Sequence, residues 1–163
     1  MRTQHRLIVC VAGVVAIGAS ALALHAGGVR EQQRPTPILA GAEIDPGTLE
    51  IFERSCQDCH SDRTNWPWYS RIPPGVWIIR RDVTEARAHL NLSRWQDYSA
   101  VEQRARLSQI GAVARTGMMP PARYTFLHRA SKLSPAERDR VYRWTRAERS
   151  RIAAARVAEP NSP

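Results

Sequence analysis

Apolar residues recur at intervals of three and four along four stretches of the chain, and this spacing predicts four helices. The first begins at Asp45, a residue type that caps helices, and Pro46, which is favoured at the first helical position. Its apolar positions fall on one face and lead to Cys56. The second runs from Val76 to about Leu90 with the same spacing.

The other two predicted helices begin with capping motifs. Ser99 and Glu102 form a capping box at the start of the third, and Gly117 is of the type that ends helices. The fourth starts at Ser134 and extends to about Val157. No alternating pattern typical of a strand is present in the sequence. The predicted fold class is therefore all-α, a small helical domain.

Polar and proline-containing stretches separate these elements. Residues 62–75 carry three prolines and one asparagine among aromatic side chains and are predicted to form a loop. Met118 and Met119 precede Pro120 and Pro121, so both methionines should lie on an extended loop. The sequence divides into a leader at residues 1–26, a linker at 27–44 and a single domain at 45–158.

The leader contains an uncharged run from Leu7 to Leu24, preceded by Arg2 and Arg6. That order is typical of an export signal. The run also has the length of a short membrane span, so a cleaved signal peptide and a retained anchor helix are both open. Either interpretation predicts an exported, periplasmic domain, and the second anchors it to the inner membrane.

The formal net charge of +9 is strongly basic. A clustered positive field would favour an acidic redox partner or an anionic membrane surface. The alternative is an arginine-rich surface that is simply solvated. Nucleic acid is a poor candidate because the arginines are scattered and the chain is predicted to be exported.

Cys56, Cys59 and His60 spell C-x-x-C-H, the attachment signature of c-type haem. Residues three apart on a helical turn lie on one side, so both sulfurs can reach the two vinyl groups of one porphyrin, and the histidine then ligates its iron. A redox-active dithiol and half of a zinc site use similar spacing. The first needs neighbouring strands, and the second needs further ligands that the sequence does not place nearby.

The second axial ligand is predicted to be Met119, because His/Met ligation is usual in electron-transfer cytochromes and the following proline restrains the backbone. Met118, His89, His128 and an open position are alternatives. The aromatic residues Trp66, Trp68 and Tyr69 are predicted to contact the haem. Arginines of the same region are candidates to pair with its propionates; these are Arg71, Arg80 and Arg81.

The motifs from about Leu49 to Trp144 resemble a known family, the small haem-binding domain of c-type-cytochrome-like proteins. The resemblance is carried by CQDCH at 56–60, NWPWYS at 65–70, VWII at 76–79, the stretch 88–95, GMMPPARY at 117–124, His128 and LSPAE at 133–137. It implies a small cytochrome-c-like helical fold around one covalently attached haem c per chain, with attachment at Cys56, Cys59 and His60. The family's methionine directly before the proline pair corresponds to Met119. It implies no particular pathway.

The function predicted from these observations is one-electron transfer in the periplasm, without substrate chemistry. A second prediction, from a different class, is a haem enzyme or a gas or redox sensor in which the sixth ligand is absent or displaceable.

Overall fold

The computed structural model describes residues 37–158, and this part of the chain is helical with no strand. Its α-helices are α1 Pro46–Ser55, α2 Gln57–His60, α3 Gly75–His89, α4 Ala100–Thr116, α5 Ala122–Leu127 and α6 Pro135–Ala158. Three short 3₁₀ turns lie between them, at Trp68–Arg71, Leu92–Asp97 and Arg129–Ser131. The predicted all-α class is confirmed. The predicted leader, residues 1–26, and the linker as far as residue 36 lie outside the described residues.

Helix ends lie where the sequence predicts them because the predicted caps form. The Asp45 carboxylate accepts a hydrogen bond from the Thr48 N–H at 3.0 Å. Ser99 and Glu102 form the capping box of α4 in both directions. Gly117 ends α4 in the left-handed region, at φ 73°, a conformation that costs a residue with a Cβ more than it costs glycine.

The core forms where α4 packs along α6 and where α6 packs against α1. Gly111 allows a close approach, because a Cβ at this position would lie 2.5 Å from Thr145 Oγ1 on α6. Phe52 of α1 packs edge-on against Trp144 of α6, with ring centroids 5.1 Å apart. These contacts leave α2, α3, α5 and the connecting loops to build the other side of the molecule.

The packed part of the chain includes residues before α1, within the stretch that the sequence analysis assigns to the linker at 27–44. Ile38 and Leu39 are 3% and 2% exposed and belong to the core. The Leu39 N–H donates to the Leu92 carbonyl at 2.9 Å, and the Trp144 indole donates to the Glu43 carbonyl at 2.8 Å. Buried apolar side chains with backbone hydrogen bonds are part of a domain, so residues 38–44 do not act as a free linker.

The 3₁₀ turn Leu92–Asp97 follows α3 and was not predicted. It buries Leu92 and Trp95 almost completely, at 0% and 1% exposure. Its position fixes the end of α3, which contacts the cysteine motif.

No helix within residues 37–158 combines the length and the apolar character needed to cross a bilayer.

Candidate functional site

The cysteine motif forms one helical turn at the junction of α1 and α2. The Cys56 N–H donates to the Phe52 carbonyl at 2.9 Å and thereby ends α1, and the His60 N–H donates to the Cys56 carbonyl at 3.0 Å. This turn brings Cys56, Cys59 and His60 to the wall of one cavity. The three residues that the sequence predicts to act together therefore share one site.

Both cysteines are free thiols, and their surroundings disfavour the charged form. Burial raises the pKa of Cys56 to about 12, and burial followed by the adjacent Asp58 raises the pKa of Cys59. Redox-active C-x-x-C pairs depend on a cysteine whose pKa is lowered. The environment of this pair is the opposite of a reactive dithiol centre.

The His60 imidazole is held by two carbonyl groups from the end of α3. Its Nδ1 lies 3.2 Å from the Ala86 oxygen and 3.2 Å from the Leu90 oxygen. Carbonyl oxygens only accept hydrogen bonds, so Nδ1 carries the proton and the lone pair is on Nε2. Burial lowers the pKa of His60, which favours the neutral ring. A neutral imidazole whose other nitrogen is anchored to the backbone is the usual arrangement of a histidine that ligates a metal.

The cavity has a volume of about 460 Å³, in the range of sites for small molecules and cofactors. Apolar side chains from five elements form much of its wall; they include Phe52, Ile79, Val83, Leu90, Leu92, Ile110, Val113, Leu133 and Val141. Within residues 37–158, no group of three or more His, Cys, Asp or Glu side chains is arranged to hold a metal ion.

Met119 lines this cavity, whereas Met118 does not. The side chain of Met118 is 68% exposed and that of Met119 is 41% exposed. The Val113 carbonyl accepts from the N–H groups of both methionines, at 3.0 and 3.3 Å, and this fixes the loop against the end of α4. The structure thus brings the predicted ligand Met119 to the same cavity as His60.

His89 and His128, the alternative ligands, also line the cavity. The Tyr69 hydroxyl and His128 Nε2 are 2.5 Å apart, and the His128 ring lies 4.3 Å from the Tyr124 ring between centroids. When Tyr69 donates to Nε2, the remaining proton is on Nδ1, and no lone pair of His128 is left for a metal. His128 is therefore better suited to position Tyr69 than to ligate iron.

Asp58, between the two cysteines, ties the motif to its neighbours. Its carboxylate accepts hydrogen bonds from the Asn65 N–H at 3.0 Å and from the Tyr124 hydroxyl at 2.9 Å. Its carbonyl accepts from the Thr64 hydroxyl at 2.6 Å, and Arg87 donates to Thr64 at 2.8 Å. Burial, then the Asp58 charge, raises the pKa of Tyr124 above its ordinary value, so its hydroxyl stays protonated.

Sequence reasoning missed the role of Tyr124, because α5 was not predicted and a single tyrosine after two prolines has no helical pattern around it. The only signal was its place at the end of the GMMPPARY motif. The sequence also did not indicate the two arginines that line the cavity, Arg106 and Arg123. Arg123 is paired with Asp82 at 3.0 Å.

The three predicted aromatic contacts have different positions. Tyr69 lines the cavity, whereas Trp66 and Trp68 do not, and Trp68 is 75% exposed. The 3₁₀ turn that begins after Pro67 explains the difference, because it brings Tyr69 to the cavity and leaves Trp68 in solvent. Among the predicted propionate partners, none of Arg71, Arg80 and Arg81 lines this cavity.

Comparisons with known proteins agree with the chemistry of this site. The family model described as haem-binding domain matches residues 15–147. The chain is also 26% identical over 147 residues to cytochrome c peroxidase Ccp of Escherichia coli (strain K12). That alignment includes 88% of this chain but only 32% of the relative, so the chain spans about a third of the length of that protein. No solved structure matches the chain significantly.

Proposed function

The chain belongs to the haem-binding domain family, and from this premise we propose that it is a c-type cytochrome domain that transfers single electrons in the periplasm. In this proposal Cys56 and Cys59 hold one haem covalently, His60 is one axial ligand and Met119 is the other. The observation that carries the proposal is the anchored His60 ring, whose free Nε2 shares a cavity with two neutral thiols and a methionine.

The residues present fit a covalently held haem. Cys56 and Cys59 would hold the haem through thioether bonds to its two vinyl groups, and both are present as protonated thiols, the form that such an addition consumes without an oxidant. The apolar wall suits the porphyrin faces, and Arg106 at the same wall, whose guanidinium group also donates to the His89 carbonyl, could pair with a propionate.

Electron transfer is favoured over substrate chemistry by the ligand pair. With His60 and Met119 as its ligands, a haem iron would be stabilised in its reduced form, would have a raised potential and would offer no open position to a substrate. The backbone hydrogen bonds that fix the Met119 loop to the end of α4 support such a role, since a fixed ligand needs little rearrangement between the two oxidation states.

Covalent attachment is tested with the double variant Cys56→Ala/Cys59→Ala, expressed with the cytochrome c maturation machinery. We expect the haem stain that survives a denaturing gel to disappear. Cys10→Ala, which removes the cysteine outside the motif, is the matched control and should retain the stain at full intensity. Retention of covalently bound haem by the double variant would rule out the attachment model.

Export and partner choice are further parts of the proposal. The uncharged run at residues 7–24 behind Arg2 and Arg6 supports a periplasmic location, as a processed or inner-membrane-anchored protein. The net charge of +9 supports an acidic redox partner. Fractionation of cells should place the haem-stained protein in the periplasm or inner membrane; recovery in the cytoplasm would contradict this part.

A haem enzyme or sensor with a displaceable sixth ligand is a second candidate. The similarity to a cytochrome c peroxidase and the 41% exposure of Met119 favour it. Carbon monoxide separates the two functions. The untreated ferrous protein should resist it if Met119 stays bound, whereas rapid binding would favour the enzyme or sensor.

A further inference from the structure

Large apolar side chains are exposed along the segment 66–81, which contains the Trp68–Arg71 turn and the first turns of α3. Trp68, Trp77, Ile78 and Ile72 are 75%, 68%, 53% and 51% exposed. Monomeric proteins rarely expose several large apolar side chains together without a function. We refer to these four side chains, with the neighbouring Arg71 and Arg80, as the tryptophan–arginine surface.

The tryptophan–arginine surface has a fixed backbone. The Val76 N–H donates to the Ile72 carbonyl and the Trp77 N–H to the Pro74 carbonyl, both at 3.1 Å, so the loop leads directly into α3. Gly75 allows this approach, because a Cβ there would lie 2.6 Å from the Tyr69 carbonyl oxygen. The indoles and isoleucines are therefore presented by a close-packed turn and helix.

Positive charge borders the apolar side chains, and it has little local compensation. Residues 66–81 contain three arginines and no Asp or Glu. Arg81 pairs with Glu85 at 2.7 Å, whereas Arg71 and Arg80 form no ion pair with any residue of 37–158. Two uncompensated guanidinium groups beside exposed indoles favour an anionic ligand.

A second cavity, of about 630 Å³, lies at these arginines. Its polar wall includes Arg71, Arg80, Arg87, Ser70 and Thr84, and Trp66 forms part of its apolar wall. The Nε of Arg87 is buried without a hydrogen-bond partner among the described residues. The guanidinium groups of Arg71 and Arg80 and the Nε of Arg87 form a donor set suited to a phosphate group, whereas the Ser70 and Thr84 hydroxyls donate to the Pro67 and Arg80 carbonyls.

We propose that the tryptophan–arginine surface binds an anionic phospholipid bilayer, with Trp68, Trp77 and the isoleucines at the level of the headgroups and a lipid phosphate at Arg71 and Arg80. Indole rings are enriched at membrane interfaces, and arginine on the polar side of an apolar surface attracts anionic headgroups.

This docking fixes the haem-binding cavity relative to the membrane. Tyr69 belongs to the same 3₁₀ turn as Trp68 and lines that cavity. Because Trp68 and Tyr69 are consecutive residues, a bilayer that contacts Trp68 lies next to the residue that forms the cavity wall. The inference concerns the surface alone and holds or fails independently of the haem ligands.

The test uses the full chain labelled with 5-fluorotryptophan in nanodiscs that contain a gadolinium-chelating lipid at the headgroup level. Fluorine resonances are assigned by single Trp→Phe variants. In discs with phosphatidylglycerol, we expect the Trp68 and Trp77 signals to broaden beyond detection, whereas the buried Trp95 and Trp144 signals persist. Val101→Trp supplies an exposed indole outside the surface, since Val101 is 58% exposed on α4, and its signal should also persist.

The charge requirement is tested with Arg71→Gln/Arg80→Gln, which should restore the Trp68 and Trp77 signals. Arg143→Gln/Arg156→Gln removes the same charge from exposed positions on α6 and should leave the broadening unchanged. The proposal is overturned if the Val101→Trp signal broadens as much as Trp68 and Trp77, or if neutral phosphatidylcholine discs broaden them equally. The proposal is also overturned if inorganic phosphate shifts the Trp66 fluorine signal while lipid discs broaden none of the tryptophan signals. It is likewise overturned if only an acidic protein, and no lipid disc, changes the Trp68 signal.

Discussion

The hydrogen bond between Tyr124 and Asp58 provides a quantitative test of how α5 supports the cysteine motif. In Tyr124→Phe the Asp58 carboxylate loses the hydroxyl that donates to it at 2.9 Å. Hydrogen bonds to charged groups contribute about 1.5–3 kcal/mol. Because Tyr124 is only partly buried, we expect about 1.5 kcal/mol, which for a domain of this size lowers Tm by about 6 °C.

The same contact predicts a pH dependence. Burial, then Asp58, raises the pKa of Tyr124 above its ordinary value of 10.0, so the folded protein holds this proton more tightly than the unfolded chain does. The stabilisation is fully present below pH 10 and is lost as the pH rises further, because the unfolded chain ionises first. As the pH rises above 10, the free energy of unfolding should therefore fall less in Tyr124→Phe than in the parent protein.

The assay is thermal and urea unfolding of the haem-bearing protein, followed by circular dichroism at neutral pH and above pH 10. Tyr142→Phe is the matched control, because the Tyr142 hydroxyl makes no hydrogen bond within residues 37–158 while its ring packs under Arg115. Equal stability of the two variants at neutral pH, or parallel pH profiles for Tyr124→Phe and the parent, would refute the reasoning.

Three other substitutions have expected outcomes. Gly111→Ala should destabilise the protein by about 1–2 kcal/mol in urea unfolding, because overpacking against Thr145 outweighs the gain in helix propensity; unchanged or raised stability would contradict the α4–α6 packing. Ser99→Ala should cost about 1 kcal/mol by removing the capping box, and an equal effect of the exposed Ser108→Ala would show that the cap contributes nothing. Met119→Leu should abolish the sulfur-to-iron absorption band of the ferric protein and Met118→Leu should preserve it; the reverse result would exchange the two ligand assignments.

The sequence was sufficient for the regular helices because their signals are local. Capping residues, a left-handed glycine and three-and-four spacing are set by neighbouring residues, and Asp45, Ser99 and Gly117 act as predicted. The start of the packed domain was not accessible in this way. Ile38 and Leu39 lie in a stretch without helical spacing. Both are buried in the folded protein, where the Leu39 N–H donates to the carbonyl of Leu92, more than fifty residues later.

The candidate site was predictable as a motif but not as a geometry. C-x-x-C-H identified three neighbouring residues, and the methionine before the prolines identified a fourth that lines the same cavity. The carbonyls that hold His60 come from the end of α3, and backbone groups leave no sequence signature. The position of Trp68 was likewise hidden, because the 3₁₀ turn has three residues per turn and is only four residues long, too short to display a hydrophobic period.

The mass of the intact protein tests the central claim most directly. The full chain should be expressed in paired hosts, with and without the cytochrome c maturation machinery, and analysed by mass spectrometry under denaturing conditions. The account predicts that the first product exceeds the mass of its polypeptide by one haem and that the second does not. If both products weigh only as much as their amino acids, covalent attachment at Cys56 and Cys59 is contradicted.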